Sequence, residues 1–203
     1  MSGRLQRFTA GERVTHWLVA LSFVYVALTG LSLWSHRIYW LSDVLGGGVA
    51  VRRWHPWVGV AFAVTLGVMF LRWAKAMRLS PEDRSWLRKA HRYAVHDDSD
   101  LPEPGKFNGG QKALFWLQSV ACVVLLASGL ALWIPAEFPR TLVLWAVLIH
   151  PVAALLSMAG IIVHIYMGTL GVPGALTSMV RGWVTSAWAR AHHPKWHREI
   201  SRR

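Results

Sequence analysis

Acidic residues are scarce in this 203-residue chain: ten Asp and Glu stand against 22 Lys and Arg, a formal net charge of +12. Charged residues of either sign make up 16%, well below the ~25% usual in soluble domains. Cysteine is rarer still, with Cys122 alone. A single thiol excludes an internal disulfide, a thiolate zinc cage and a cysteine-held iron–sulfur cluster. Covalent c-type haem is excluded as well, since no C-x-x-C-H occurs. Cys122 sits in an apolar run and reads as a small buried hydrophobe. What abounds is apolar: 54% hydrophobic residues, with 13 Trp. A soluble nucleic-acid binder would be basic without this apolar excess, and a disordered chain would lack it altogether. Few charges, mostly positive, on a tryptophan-rich apolar chain describe a membrane protein with basic flanks and rule out a soluble enzyme.

Four stretches lack Asp, Glu, Lys and Arg: Val14–His36, Trp54–Leu71, Ala113–Ala136 and Thr141–Val180, of 23, 18, 24 and 40 residues. A helix needs about 20 residues to cross a hydrocarbon core of about 30 Å. The last run is too long for one crossing, but Gly171, Pro173 and Gly174 interrupt it. The pattern predicts transmembrane helices over 15–35, 54–74, 112–134 and 143–170, in a single domain 1–203 that ends in a basic tail, 174–203. The first run is too long for a cleavable signal, and no A-x-A-like site follows it. No segment reads as a strand, and no tandem repeat stands out.

Four crossings put both termini and the 75–111 connection on one side. That side holds 18 of the 22 basic residues: three before the first helix, nine from Arg72 through Lys112 and six after Val180. The opposite loops, 37–53 and 135–142, hold only Arg37, Arg52, Arg53 and Arg140. By the positive-inside rule the termini are cytoplasmic. His96–Gly110 carries four acids and two prolines and is expected to be an irregular, solvated loop. Beyond Gly174, Leu176, Met179, Val180 and Trp183 alternate with Arg181, Arg190 and Lys195. That suits an amphipathic helix on the inner leaflet, with Trp183 and Trp188 at headgroup depth.

The spans do contain histidine: His16 in the first, His55 in the second, His150 and His164 in the fourth. An ionisable side chain at membrane depth is a candidate site, because leaving it unpaired in lipid is expensive. The plainer alternative for any one of them is a hydrogen bond between helices. His150 and His164 are 14 residues apart, about 21 Å along a helix and about 40° around it. One helix therefore presents two imidazoles on one face at two depths. His55 supplies a partner at the outer depth and His16 one at the inner depth. Two stacked His–His pairs in a four-helix bundle suit two bis-histidine b-type haems. Gly59, Gly160 and Gly30, the last at the outer level of the first helix, offer the small residues a macrocycle needs beside it.

Zinc or copper would want three or four ligands at one depth, and a proton relay would add Asp or Glu within the spans. His36, His91, His96, His192, His193 and His197 read as solvated loop or tail residues. Asn108-Gly109-Gly110-Gln111-Lys112 stands at the threshold of the third helix and has two readings. One is a turn capped by Asn108; the other is a quinone headgroup site, with glycines exposing backbone N–H groups and amides donating.

These residues also carry a resemblance. Glu12-Arg13-Val14-Thr15-His16-Trp17 with Thr29-Gly30, Arg53-Trp54-His55-Pro56 with Gly59, and Lys106-Phe107-Asn108-Gly109-Gly110-Gln111-Lys112 are three of its motifs. The step from His150 to His164 with Ile165-Tyr166-Met167, and the run Trp188 through Trp196, complete them. From near the N-terminus to about Ile200 the chain resembles the gamma subunit, cytochrome b556, of membrane-bound respiratory formate dehydrogenases. The resemblance implies that His55 and His150 ligate a periplasmic-side haem and His16 and His164 a cytoplasmic-side haem. It implies that Asn108, Gly110 and Gln111 form a menaquinone or ubiquinone site beside His164. It implies an iron–sulfur beta subunit and a molybdenum- or tungsten-pterin catalytic alpha subunit as partners, in a bacterial inner membrane. Pro151, directly after His150, departs from the family pattern and puts that ring's aim in question. Cytochrome b subunits of hydrogenases and of other molybdopterin oxidoreductases share the broad plan.

The expectation is thus an all-α integral membrane four-helix bundle with two b-type haems and a cytoplasmic amphipathic tail. It would pass electrons from a periplasmic oxidoreductase to quinone, with no substrate-oxidising residues of its own and no nucleic-acid role. The alternative from another class is a haem-free membrane anchor.

Overall fold

The computed structural model of the chain describes residues 3–94 and 100–202. A short strand β1 (Arg4–Gln6) leads into α1 (Ala10–Trp34), followed by α2 (Leu41–Val44) and α3 (Gly48–Trp73). Two short helices, α4 (Pro81–Arg88) and α5 (Ala90–Ala94), precede α6 (Gly109–Trp133) and α7 (Arg140–Tyr166). A π-helical turn over Met167–Gly171 closes α7. The tail then forms α8 (Ala175–Arg181), β2 (Trp183–Thr185), α9 (Ser186–His192) and α10 (Pro194–Ser201).

Among the described residues, helices α1, α3, α6 and α7 are the four that are long and apolar enough to cross a membrane. Their 25 to 27 residues give rods of about 37–40 Å. Each begins three to six residues before the expected span, and for α1 and α6 the caps explain why. Thr9 N–H donates to Glu12 Oε2 at 2.7 Å and Glu12 N–H to Thr9 Oγ1 at 3.3 Å, a reciprocal capping box that starts α1. Asn108 and Gln111 do the same for α6. Charges mark where the chain leaves hydrocarbon; caps mark where the helix begins.

The chain divides into two compact units. One consists of Val14–Leu71 and Leu117–Gly160 and holds the greater part of all four long helices. Phe23 packs tilted against Phe62 at 5.7 Å between α1 and α3, and Trp57 meets Trp133 edge-on at 4.9 Å between α3 and α6. Gln118 of α6 and Ser157 of α7 exchange bonds of 3.0 and 2.6 Å. The fully buried side chains are small, Val51, Thr29, Ser32, Ser42 and Ser157, while Leu21, Val64, Val123 and Leu144 face outward. Small interiors let helices approach closely, and an apolar exterior is what lipid accepts.

The other unit consists of Met1–Arg13, Arg72–Trp116 and Ile161–Arg203. It corrects two expectations. The described residues include two strands: β1 pairs antiparallel with β2, Leu5 opposite Val184. Three residues are too few for a periodic signal, and the partners come from opposite ends of the chain. Nor is the tail one amphipathic helix. Gly174 and Gly182 take φ of +88° and +85°, left-handed backbone that ends one element and turns into the next. Leu176 and Val180 of α8 stay exposed, but Val184, Ala189 and Trp196 pack with Leu5, Trp188 and Ile200 into a small core. Of the expected loop, 100–108 forms no helix or strand, whereas His96, Asp97 and Asp98 lie outside the described residues.

Candidate functional site

Within the four-helix unit, α3 and α7 bring His55 and His150 together with ring centroids 6.4 Å apart and planes inclined at 69°. Both rings are half-buried. His55 Nδ1 lies 2.7 Å from Thr29 Oγ1 of α1, and His150 Nδ1 lies 3.0 Å from Ser128 Oγ of α6. A hydroxyl takes Nδ1 in each case, and Nε2 is the nitrogen this leaves for a metal. A metal bond of about 2 Å plus about 1.2 Å from nitrogen to ring centre, taken twice, spans about 6.4 Å. His55 and His150 would thus have the spacing to hold one metal ion between their rings.

Room beside the rings is also built in. A Cβ on Gly30 would stand 3.2 Å from His55 Cε1, and one on Gly129 would stand 3.2 Å from His150 Cε1. Gly30 thus stands at the level of the His55–His150 pair, as its position in the helix predicts. A Cβ on Gly59, by contrast, would meet nothing within 4 Å. Pro151 does not divert His150, because α7 runs through it unbroken, as α3 runs through Pro56. The residues present fit an iron porphyrin held by two imidazoles.

The inner candidates fall one in each unit. His16, on α1, stands edge-on to Trp17 with centroids 5.5 Å apart. His164, on α7, lies just before the π-helical turn at Met167–Gly171. π-turns recur at functional sites.

The motif at the start of α6 is anchored residue by residue in its own unit. Lys106 O accepts from Arg7 at 2.8 Å, and Lys106 Nζ lies 3.5 Å from Glu12 Oε1. Phe107 stacks between Phe8 and Trp73 at 6.0 and 5.8 Å. Asn108 Oδ1 accepts from Gln111 N–H at 2.9 Å and Gln111 Oε1 from Asn108 N–H at 3.0 Å. Gly109 and Gly110 lie so close to Trp86 that a Cβ on either would meet its ring at 3.0–3.1 Å. Lys112 Nζ reaches Asp83 Oδ2 at 2.6 Å. Burial pushes the Asp83 carboxyl up, but Lys112 and the Ser80 backbone and hydroxyl outweigh it and hold the pKa below its ordinary value. Asn108 is accordingly a helix cap. Its capping bonds use the carbonyl oxygens of both amides, so the NH₂ groups of Asn108 and Gln111 remain as donors.

One expectation fails outright. His193, expected in solvent, is 3% exposed. Arg7 Nη2 lies 2.9 Å from His193 Nε2, and since guanidinium only donates, Nε2 accepts. Nδ1–H then donates to Gly105 O at 2.7 Å. Burial, then the Arg7 charge, pushes its pKa down to about 3, so the ring is neutral. Tail position in the sequence gave no sign of this, because the burying residues come from the N-terminus and the 105–106 turn. Ser128 and Gly129 were missed as well, and Thr29 entered only as part of the Thr29-Gly30 motif, without a role. The available signal was the repeated hydroxyl–glycine dipeptide, Thr29-Gly30 and Ser128-Gly129.

The sequence model of the family described as prokaryotic cytochrome b561 matches residues 7–182. The chain is 36% identical over 197 residues to the formate dehydrogenase cytochrome b556(fdo) subunit of Escherichia coli (strain K12), covering 96% of this chain and 92% of that protein. It is 34% identical over 194 residues to the nitrate-inducible cytochrome b556(Fdn) subunit of the same organism, covering 94% and 89%. The formate dehydrogenase cytochrome b556 subunit of Haemophilus influenzae is 32% identical over 202 residues, 97% of this chain and 83% of that protein.

Proposed function

The chain belongs to the prokaryotic cytochrome b561 family, among formate dehydrogenase cytochrome b556 subunits, and from that premise we propose that it is the di-haem quinone-reducing subunit of a formate dehydrogenase. The family makes it a multi-pass membrane electron carrier with haem b. The observation that carries the fuller reading is the His55–His150 pair, 6.4 Å apart with each Nδ1 taken by a hydroxyl.

His55 and His150 hold the outer haem. His16 and His164 hold the inner one, a pairing supported by the 14-residue step in α7 and by the resemblance. Haem b supplies reversible one-electron transfer when bound. The chain's own residues give it two fixed positions at two depths. Asn108, Gly110 and Gln111 form the quinone site beside His164, where the amide NH₂ groups donate to a quinone carbonyl at the water interface. The chain takes electrons from an iron–sulfur beta subunit fed by a molybdenum- or tungsten-pterin alpha subunit on the periplasmic side. Both termini are cytoplasmic, and the membrane is the bacterial inner membrane. The basic residues that support this orientation are concentrated around the termini and the 75–111 connection.

A reduced-minus-oxidised visible spectrum with haem quantification on the purified complex tests this reading. Two b-type haems per chain are expected. A spectrum without b-type α and Soret bands would leave a haem-free anchor as the surviving reading, and one haem per chain would sink the two-site assignment.

A further inference from the structure

The interior of the four-helix unit repeats one device. Thr29-Gly30 of α1 meets His55 of α3, and Ser128-Gly129 of α6 meets His150 of α7. In both, the hydroxyl oxygen lies very near the carbonyl one turn back: Thr29 Oγ1 to Tyr25 O at 2.7 Å, Ser128 Oγ to Val124 O at 2.6 Å. Two oxygens at that separation need a proton between them, and a carbonyl has none to give. The hydroxyl proton therefore points along the helix, and toward the ring the hydroxyl can only accept. It follows that both histidines carry their proton on Nδ1. The neighbouring glycine completes each seat, since any larger residue would press on the ring at Cε1. Both rings are also followed by proline, but so is His193, which Arg7 and Gly105 hold instead. Proline alone does not define the device; hydroxyl plus glycine does.

We propose that Thr29 and Ser128 are positioning residues of the outer site, whose hydroxyl oxygens accept Nδ1–H from His55 and His150, lock both rings in the tautomer that presents Nε2 and make each ring a stronger electron donor. This rests on the reading that His55 and His150 hold a haem. A more basic imidazole favours the oxidised form of the metal centre it binds, so the hydroxyls hold the outer site's midpoint potential down. Each half of the bundle supplies one hydroxyl, one glycine and one ring.

The test is a spectroelectrochemical titration, with EPR of the low-spin ferric signals, on the purified complex carrying Thr29→Val, Thr29→Ser, Ser128→Ala or Ser32→Ala. Thr29→Val and Ser128→Ala should retain two haems and move one potential upward. At the wild-type midpoint the reduced-to-oxidised ratio of that haem should rise about tenfold, about 59 mV for a one-electron couple. One set of g-values should move with it. Thr29→Ser keeps the hydroxyl and should restore the wild-type potential. Ser32 is buried in the same helix and donates to Thr29 O at 2.8 Å, so Ser32→Ala should change nothing. Wild-type potentials and g-values in both Thr29→Val and Ser128→Ala overturn the proposal. If Thr29→Val loses a haem, Thr29→Ser decides: haem regained supports the hydroxyl role, and haem still absent overturns it in favour of shape alone. Retention of both haems in His55→Ala would instead overturn the outer-site reading on which the proposal stands.

Discussion

His55 and His150 in the four-helix unit each have one ring nitrogen occupied by a hydroxyl, and they face each other across 6.4 Å. His193 in the other unit has both nitrogens occupied, Nε2 by Arg7 and Nδ1 by Gly105 O, and sits among Trp188 and Trp196. All three precede a proline, so that feature does not distinguish them. What separates a candidate ligand from a structural pin is the count of nitrogens the protein itself uses. A ring with one nitrogen used by the protein keeps the other for a further partner, whereas His193 keeps none. The surroundings agree. Small and hydroxyl residues line the four-helix unit and leave room, whereas aromatic rings and a buried guanidinium close over His193, with Arg7 over the Trp188 ring at 5.0 Å.

The comparison breaks most visibly if the histidines are exchanged in role. His55→Ala and His150→Ala should each lose the same one of two haems completely, read as half the pyridine haemochrome per chain. His193→Ala should keep both. His16→Ala and His164→Ala should lose the other haem together, and losses that paired differently would undo the assignment by depth.

The next effect is acid instability from His193. Its folded pKa, about 3, lies below the ordinary 6.5, so the unfolded chain takes up the proton first. Its contribution to stability is complete above about pH 6.5 and is lost as the pH falls toward 3, at about 1.4 kcal/mol per pH unit. Thermal unfolding of the purified complex between pH 4 and 7 should steepen accordingly, and His193→Asn should flatten that slope. An equal slope in the variant would mean that the ring is not what titrates. Arg7→Met should cost about 3 kcal/mol near neutral pH, because it strips a donor from both His193 Nε2 and Lys106 O while leaving the haem spectrum untouched.

The smallest change in stability is expected at Asn108. Removing its capping bonds in Asn108→Ala should cost about 1 kcal/mol. Quinone reduction should nonetheless fall while both haems remain. Steady-state quinone kinetics unchanged in this variant would reduce the 108–111 motif to its cap.

Much of the architecture was legible because lipid imposes a coarse rule. Charges are expelled from hydrocarbon, so the absence of Asp, Glu, Lys and Arg located the four helices, and the helical repeat put His150 and His164 on one face. The Thr9–Glu12 cap is local chemistry four residues long, yet the expected span began beyond it at residue 15, because charge and not capping set that bound. The strand pair Leu5–Val184 was not legible, since its partners are chosen from opposite chain ends by packing. Burial of His193 escaped for the same reason: its partners, Arg7 and Gly105, are 186 and 88 residues away.

By itself, then, the sequence determined which segments are apolar enough to span a membrane and which histidines lie within them. Both follow from transfer free energy and from a fixed rise per residue, which act along the chain. Which nitrogen of each histidine is used, and by what, was decided only by the tertiary structure. Hydrogen bonds reach about 3 Å, and only folding brings Thr29 to His55, Ser128 to His150 and Arg7 to His193 within that distance.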